Sequence, residues 1–171
     1  MGDRRLMALV IEEMAAAHWR QVRQIYQEGI DTGLATFETR PSSWERWDQG
    51  HLHFARLVAL ADGLVSGWAA LAPVSARPVY AGVAEVSVYV GATWRGQGAG
   101  RLLLERLIAE SEKNAIWTLQ ASIFPENESS LKLHRSCGFC EVGRRRRIAQ
   151  LSGVWRDTVL LERRSITVGR D

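Results

Sequence analysis

A chain of 171 residues is sized for one domain with a single core and is too short for two ordinary domains. Its hydrophobic fraction of 46%, with 7 Trp, 3 Tyr and 4 Phe, excludes a disordered chain. A formal net charge of +3, with basic residues spread along the sequence apart from one run, does not demand a nucleic-acid partner.

Met1 to Ile11 lacks the long apolar core and small-residue cleavage site of a secretory signal. Residues 6–12 (LMALVIE) suit a first strand instead. From Met14 to about Ile30 the apolar residues Trp19, Val22, Ile25, Tyr26 and Ile30 recur at helical spacing, and Gly33 marks the exit. Pro41-Ser42-Ser43 opens a short helix carrying Trp44 and Trp47. Residues 55–61 and 64–72 read as strands joined by Asp62-Gly63, a strong hairpin signal. That pair also interrupts the most apolar stretch, Leu57 to Pro73, with a charge and a turn, which argues against a membrane span. The protein is therefore expected to be soluble and cytoplasmic, with no membrane partner.

A loop rich in Pro and small residues (73–83) leads into Glu85-Val-Ser-Val-Tyr-Val90, which alternates cleanly. Glu85, Ser87 and Tyr89 point to one face, and Val86, Val88 and Val90 to the other. A glycine-rich turn follows, then a helix from about Gly98 to Lys113 with Leu103, Leu104, Leu107 and Ile108 as its buried stripe. Residues 116–123 give another strand, Asn127 to Cys137 a helix, and 139–150 and 155–162 two final strands. No repeat, linker or low-complexity tract interrupts the chain. The pattern predicts one mixed α/β (α+β) domain over residues 1–171, with its core at about 6–163.

Three lesser patterns carry little chemistry. Cys137 and Cys140 have C-x-x-C spacing, but a helix ends between them at Gly138 and no second ligand pair exists, so they read as structural cysteines in a reducing compartment. His51 and His53 likewise lack a second ligand set and are expected at the surface; no metal is expected. Arg144-Arg-Arg-Arg147 reads as a solvated face, with alternation letting only two of the four share a side. The tryptophans at 44, 47, 68, 94, 117 and 155 are core or interface candidates.

The informative stretch is Val88-Tyr-Val-Gly-Ala-Thr-Trp-Arg95-Gly96-Gln97-Gly98-Ala99-Gly100-Arg101, running straight into the Leu-rich helix. A strand that feeds a glycine turn at a helix start leaves backbone N–H groups without partners. Those donors and the helix dipole suit a pyrophosphate, and Arg95 adds positive charge at the rim. A Walker loop would need Lys-Ser/Thr where Arg101-Leu102 stands, and the glycines at 96, 98 and 100 do not fit the dinucleotide fingerprint. A glycine-rich helix start with no ligand is the alternative.

Arg95-x-x-Gly98-x-Gly100 after a valine-rich strand resembles the acetyl-CoA signature of the GNAT superfamily of N-acetyltransferases. Asn127-Glu-Ser-Ser130-Leu-Lys-Leu-His134-Arg-Ser-Cys-Gly138-Phe139 resembles that superfamily's second signature. Ala35-Thr-Phe37-Glu-Thr39, Arg77-Pro78, Glu85 to Val90 and Gly153-Val-Trp155-Arg-Asp157 are similar to segments of phosphinothricin and methionine sulfoximine acetyltransferases. The likeness spans roughly residues 8 to 162. It implies a mixed, mostly antiparallel central sheet of about six to seven strands flanked by helices, acetyl-CoA as co-substrate, and a homodimer acting on a small-molecule amine. The loop Val79-Tyr80-Ala81-Gly82 departs from the family pattern, being slightly shorter and lacking a second arginine.

The resemblance also assigns roles. Glu85 would accept the proton of the amine, directly or through water; the alternative is a surface charge on an alternating strand. The N–H groups of Val88 and Val90 would bond the cofactor, with Arg95, Gly96, Gln97, Gly98, Ala99, Gly100 and Arg101 cradling its pyrophosphate. Asn127 would hold the pantetheine arm, or cap a helix, or both. His134 stands where many members carry a tyrosine that protonates the leaving thiolate; it could donate that proton, hydrogen-bond the cofactor, or pack under the last strands. Arg77 is the candidate for gripping an acidic group of the acceptor, or else an exposed loop arginine, and Ser87 and Phe37 complete the candidate substrate contacts. Trp155 falls in a segment that the family places near substrate and dimer contact. The competing readings are the same chemistry on a polyamine, an antibiotic or a protein N-terminus, a non-catalytic acetyl-CoA sensor, and a nucleic-acid module built on Arg144 to Arg147.

Overall fold

The computed structural model describes residues 8–170. In chain order these form β1 (Leu9–Glu13), α1 (Trp19–Asp31), α2 (Trp44–Gly50), β2 (Leu57–Ala61), β3 (Leu64–Pro73), β4 (Val83–Val90), α3 (Ala99–Lys113), β5 (Thr118–Ile123), α4 (Glu128–Ser136), β6 (Cys140–Leu151) and β7 (Val154–Arg164). Every expected element is present, with shifted ends. Residues 6 and 7 of the expected first strand lie outside the described residues. Met14 is not helical: it is buried and its N–H donates to the Arg56 carbonyl (2.8 Å), and a 3-10 turn at Ala16–His18 precedes α1. β2 begins at Leu57 rather than 55 because Ala55 adopts a left-handed φ of 53°, which no strand tolerates. The expected strand start at 116 moves to Thr118 because Ala115 takes a left-handed φ of 60°.

One seven-stranded sheet runs in the order β1-β2-β3-β4-β5-β7-β6. All neighbours are antiparallel except β4 and β5, which are parallel because α3 carries the chain back across the sheet between them. Alternation divides the hydrophobic residues between two faces. On one, Leu103, Leu104 and Leu107 of α3 close over Leu71, Ala84, Val86 and Leu119. On the other, Val22 and Ile25 of α1 and Trp47 of α2 close over Val58, Trp68 and Ala70.

That second face is unusually aromatic. Trp68 stacks on Tyr89 at 4.7 Å and meets Tyr26 edge-on at 5.5 Å, while Trp19, Trp44 and Trp47 cluster at 5.5–5.7 Å from one another. Gly29 makes room for this packing, since a Cβ there would lie 2.7 Å from the Tyr89 ring. Arg56 is buried, pairs with Asp48 and donates to the carbonyls of Leu52 and His51, locking α2 to the start of β2. His51, expected at the surface, is half-buried and stacks on Trp47 at 4.1 Å.

The arginine run departs from simple alternation. Arg145 pairs with Thr158 and Ala149 with Arg156, so β6 spends four residues where β7 spends two, and Arg147 takes φ 48°. All four arginines are exposed, and the rule that only two share a side does not apply across this bulge. The Asp157 carboxylate holds the bulge, accepting from Arg147 N–H (2.9 Å) and Arg144 Nε (2.8 Å). Cys137 is half-buried against the core and Cys140 exposed, with no disulfide between them.

Candidate active site

The sheet opens where β4 and β5 separate. They pair only at Val83–Thr118, Ala84–Leu119 and Glu85–Gln120, although β4 continues to Val90 and β5 to Ile123. Beyond Glu85, β4 stays bonded to β3 through Gly67–Val90, and β5 stays bonded to β7 through Ile123–Val159. Backbone N–H directions alternate along a strand. Gly91 N–H donates toward β3, to the Ser66 carbonyl (2.9 Å), so the amides of Val88 and Val90 face the opening.

The glycine-rich turn lies at the end of the same strand. Gly98 caps α3 with φ 90°, and Gly96 has φ 75°, both left-handed conformations that glycine adopts without strain. A Cβ built on either meets no atom within 4 Å, so the turn is open to an approaching ligand. The first helical bond runs from Leu102 N–H to the Gly98 carbonyl, which leaves the amides of Ala99, Gly100 and Arg101 outside the helical ladder at the positive end of the helix dipole. Gly100 is tight: a Cβ there would sit 3.3 Å from Leu133 and 3.4 Å from Val90, so it sets how closely α3 approaches α4 and β4. Arg95 is exposed and donates to the Val90 carbonyl (3.2 Å), Gln97 donates to the Thr93 carbonyl (2.9 Å), and Arg101 pairs with Glu105 (2.8 Å). These open-strand amides and the Cβ-free cradle fit a ligand that carries an extended arm and a pyrophosphate.

A cavity of about 230 Å³ runs into the opening. It is smaller than the roughly 300–1,000 Å³ of pockets that enclose drug-sized ligands, which suits a small acceptor beside the end of a thioester arm. Glu85, Ser87 and Val88 line it, as do Phe37, Asn127 and His134, so the structure gathers these residues from three separate segments into one site. Glu85 is half-buried and its Oε2 accepts from Gln120 Nε2 (2.9 Å). Phe37 meets Phe124 edge-on at 4.8 Å. Asn127 caps α4, its side chain accepting from Ser130 N–H (3.2 Å), while its Nδ2 donates to the Leu34 carbonyl (3.1 Å).

His134 is 4% exposed and packs edge-on against Phe139 at 5.1 Å. Its Nδ1 lies 2.8 Å from the Ser130 carbonyl, which can only accept, so Nδ1 carries the hydrogen and Nε2 is the bare nitrogen. Burial pushes its pKa below the ordinary histidine value, against the opposing pull of that carbonyl bond. A neutral histidine with a bare Nε2 accepts a proton before it can give one.

Arg77 is not brought to the cavity. It is exposed, and its guanidinium lies over the Tyr80 ring at 5.5 Å in the altered loop. Sequence reasoning missed several lining residues: Thr36, Tyr89, Ser122 and Thr158. Tyr89 was legible, since it shares the alternating face of Glu85. Burial pushes its phenol well above the usual range, so it is a neutral donor at the cavity wall. Thr158 depends on the β5–β7 register, which no local pattern encodes.

A family model described as the acetyltransferase (GNAT) family matches residues 19–139. The chain is 34% identical over 151 residues to a phosphinothricin N-acetyltransferase of Alcaligenes faecalis, covering 83% of this chain and 75% of the relative. It is 31% identical over 132 residues to the L-methionine sulfoximine/L-methionine sulfone acetyltransferase of Salmonella typhimurium, covering 77% and 72%. Among solved structures, a GNAT superfamily phosphinothricin acetyltransferase from Sinorhizobium meliloti in complex with acetyl-CoA superposes with a TM-score of 0.83 at 29% identity, over 92% of this chain and 89% of that one.

Proposed function

We propose that this chain, which belongs to the acetyltransferase (GNAT) family, transfers the acetyl group of acetyl-CoA to the amine of a small amino-acid-like acceptor of the phosphinothricin or methionine sulfoximine type. The observation that carries the reading is the opened edge of β4, which leaves the amides of Val88 and Val90 unpaired toward the opening and brings the Glu85 carboxylate to the cavity beside it. Acetyl-CoA supplies an acetyl group activated as a thioester. The amides of Ala99, Gly100 and Arg101, with Gly96 and Gly98 leaving the approach clear and Arg95 and Gln97 at the rim, take the pyrophosphate. Val88 and Val90 N–H groups hold the arm and stabilise negative charge as it develops on the carbonyl oxygen, and Asn127 steadies the arm from the start of α4.

Glu85 is the general base. An amine protonated at neutral pH is no nucleophile, so the carboxylate takes its proton, directly or through one water, before the nitrogen attacks. His134, neutral with Nε2 bare, accepts the second proton that the attacking nitrogen sheds as the amide forms and passes it to the departing thiolate. Ser87 and Phe37, which both line the cavity, contact the acceptor. Arg77 is placed away from this wall, so its part in gripping an acidic acceptor requires the 77–82 loop to move inward. The cytoplasm, where the two unpaired cysteines stay reduced, is the proposed location, and no described helix is long and apolar enough to cross a membrane. A homodimer through the β6–β7 hairpin is part of the same reading, supported by the exposed Val142, Ile148, Val154 and Trp155.

The test is thiol release from acetyl-CoA with a panel containing phosphinothricin, methionine sulfoximine, spermidine and a peptide with a free N-terminus. Turnover is expected with the first two and much less with the others. Preference for spermidine or the peptide would overturn the acceptor class and leave the transferase activity in place.

A further inference from the structure

The rung at which β4 and β5 part company is occupied by two facing polar side chains. Glu85 and Gln120 are register partners, both half-buried, and Gln120 Nε2 donates to Glu85 Oε2 at 2.9 Å. Glu85 lines the cavity whereas Gln120 stands behind it, paired on its far side with Glu162 of β7. We infer that Gln120 is a positioning residue for acetyl transfer, holding the Glu85 carboxylate in the one rotamer that aims its second oxygen at the acceptor amine.

The physical case rests on what each group can do. An amide NH2 can only donate, so the bond occupies Oε2 and leaves Oε1 to take the proton. A glutamate side chain has three rotatable bonds, and among the described residues Gln120 makes the hydrogen bond that holds the last of them, whose torsional preference is broad. A catalytic carboxylate displaced by about 1 Å loses much of its effect, so a single donor that fixes the carboxylate has a kinetic consequence out of proportion to its effect on folding. The placement is also tied to the opening itself: the last paired rung is the only one where a β5 side chain reaches a β4 side chain that faces the cavity. The inference rests on the reading of Glu85 as the base, and the experiment separates the two.

The variants Gln120→Met, which keeps length and removes the donor, and Gln120→Glu, which keeps shape and replaces the donor with a second carboxylate, are each made in the wild-type chain and in Glu85→Gln. Steady-state rates are read with phosphinothricin, or with methionine sulfoximine if that turns over faster. In the wild-type background kcat is expected to fall about tenfold or more for Gln120→Met and further for Gln120→Glu, with KM for both substrates within about twofold. In Glu85→Gln neither substitution should lower kcat further, because the group being positioned is already gone. A large loss in Glu85→Gln alongside a normal kcat in Gln120→Met overturns the assignment of Gln120 alone. Equal losses in both backgrounds make Gln120 structural and overturn it too. Near-full turnover in Glu85→Gln removes the base and the positioning role together.

Discussion

Gly98 holds the backbone conformation on which α3 starts, at φ 90°, and nothing lies within 4 Å of where its Cβ would be. Two effects of Gly98→Val therefore separate. A β-branched residue in left-handed backbone costs about 1–2 kcal/mol locally, and its bulk projects into the space that the pyrophosphate needs. Calorimetry is expected to find acetyl-CoA binding abolished in a chain whose thermal unfolding remains cooperative; unchanged affinity in a folded variant would remove the turn from the site. A second residue-level expectation follows from buried His134 and half-buried His51. Burial lowers the pKa of both His134 and His51, in each case outweighing a bond to a backbone carbonyl, and the Arg56 cation adds to the effect at His51. The unfolded chain takes up those protons near pH 6.5 while the folded chain resists them. Folding stability is thus complete above that pH and declines as pH falls below it. Unfolding temperatures measured at about pH 7.5 and about pH 5.5 should drop toward the acid side; a flat profile would contradict the burial argument. At this scale the sequence disclosed Glu85, Ser87 and Tyr89 as one face through strict alternation. It could not disclose the tautomer of His134, which depends on a carbonyl four residues back in its own helix.

Among the elements, β4 and α3 were the most legible, because alternation and the 3.6-residue stripe are local properties. The β6–β7 hairpin was the least. Its two strands were expected, yet the bulge between Arg145 and Ala149 is a matter of pairing, and alternation read straight through it. The single carboxylate of Asp157 joins Arg147 N–H and Arg144 across that bulge. Asp157→Ala is expected to speed amide hydrogen exchange at Arg147 and its neighbours while leaving exchange in β4 and α3 unaltered. Protection unchanged at Arg147 would mean that strand pairing alone maintains the bulge. The turn between β4 and α3 has an equivalent tie: Glu28 of α1 accepts from Ala92 N–H at 2.8 Å, joining a helix and a turn 64 residues apart. Glu28 carried no signal in the sequence, since its partner is a backbone amide.

At the scale of the molecule, one β-sheet with a local failure of pairing produces the site. Seven strands are bonded edge to edge, and only between β4 and β5 does the ladder stop after three rungs, so the opening is bounded by rigid structure on both sides. The glycine turn at the start of α3 could be read from the sequence alone, whereas the opening is a property of register and could not be read there. The β6–β7 hairpin at one end of the sheet carries the proposed homodimer contact, where Trp155 is 54% and Val154 61% exposed. Sedimentation is expected to give a dimer for the intact chain and a monomer for Val154→Asp with Trp155→Asp; a monomeric parent chain would dismiss the contact. The claim on which all of this depends is that acetyl-CoA lies along the opened edge of β4. Its most direct measurement is an amide-resolved NMR titration of the full chain with acetyl-CoA. The backbone N–H signals of Val88, Val90, Gly96, Gly98 and Gly100 are expected to shift together and saturate at one affinity. Saturable shifts confined to other segments, with the β4 edge and the turn silent, would contradict it.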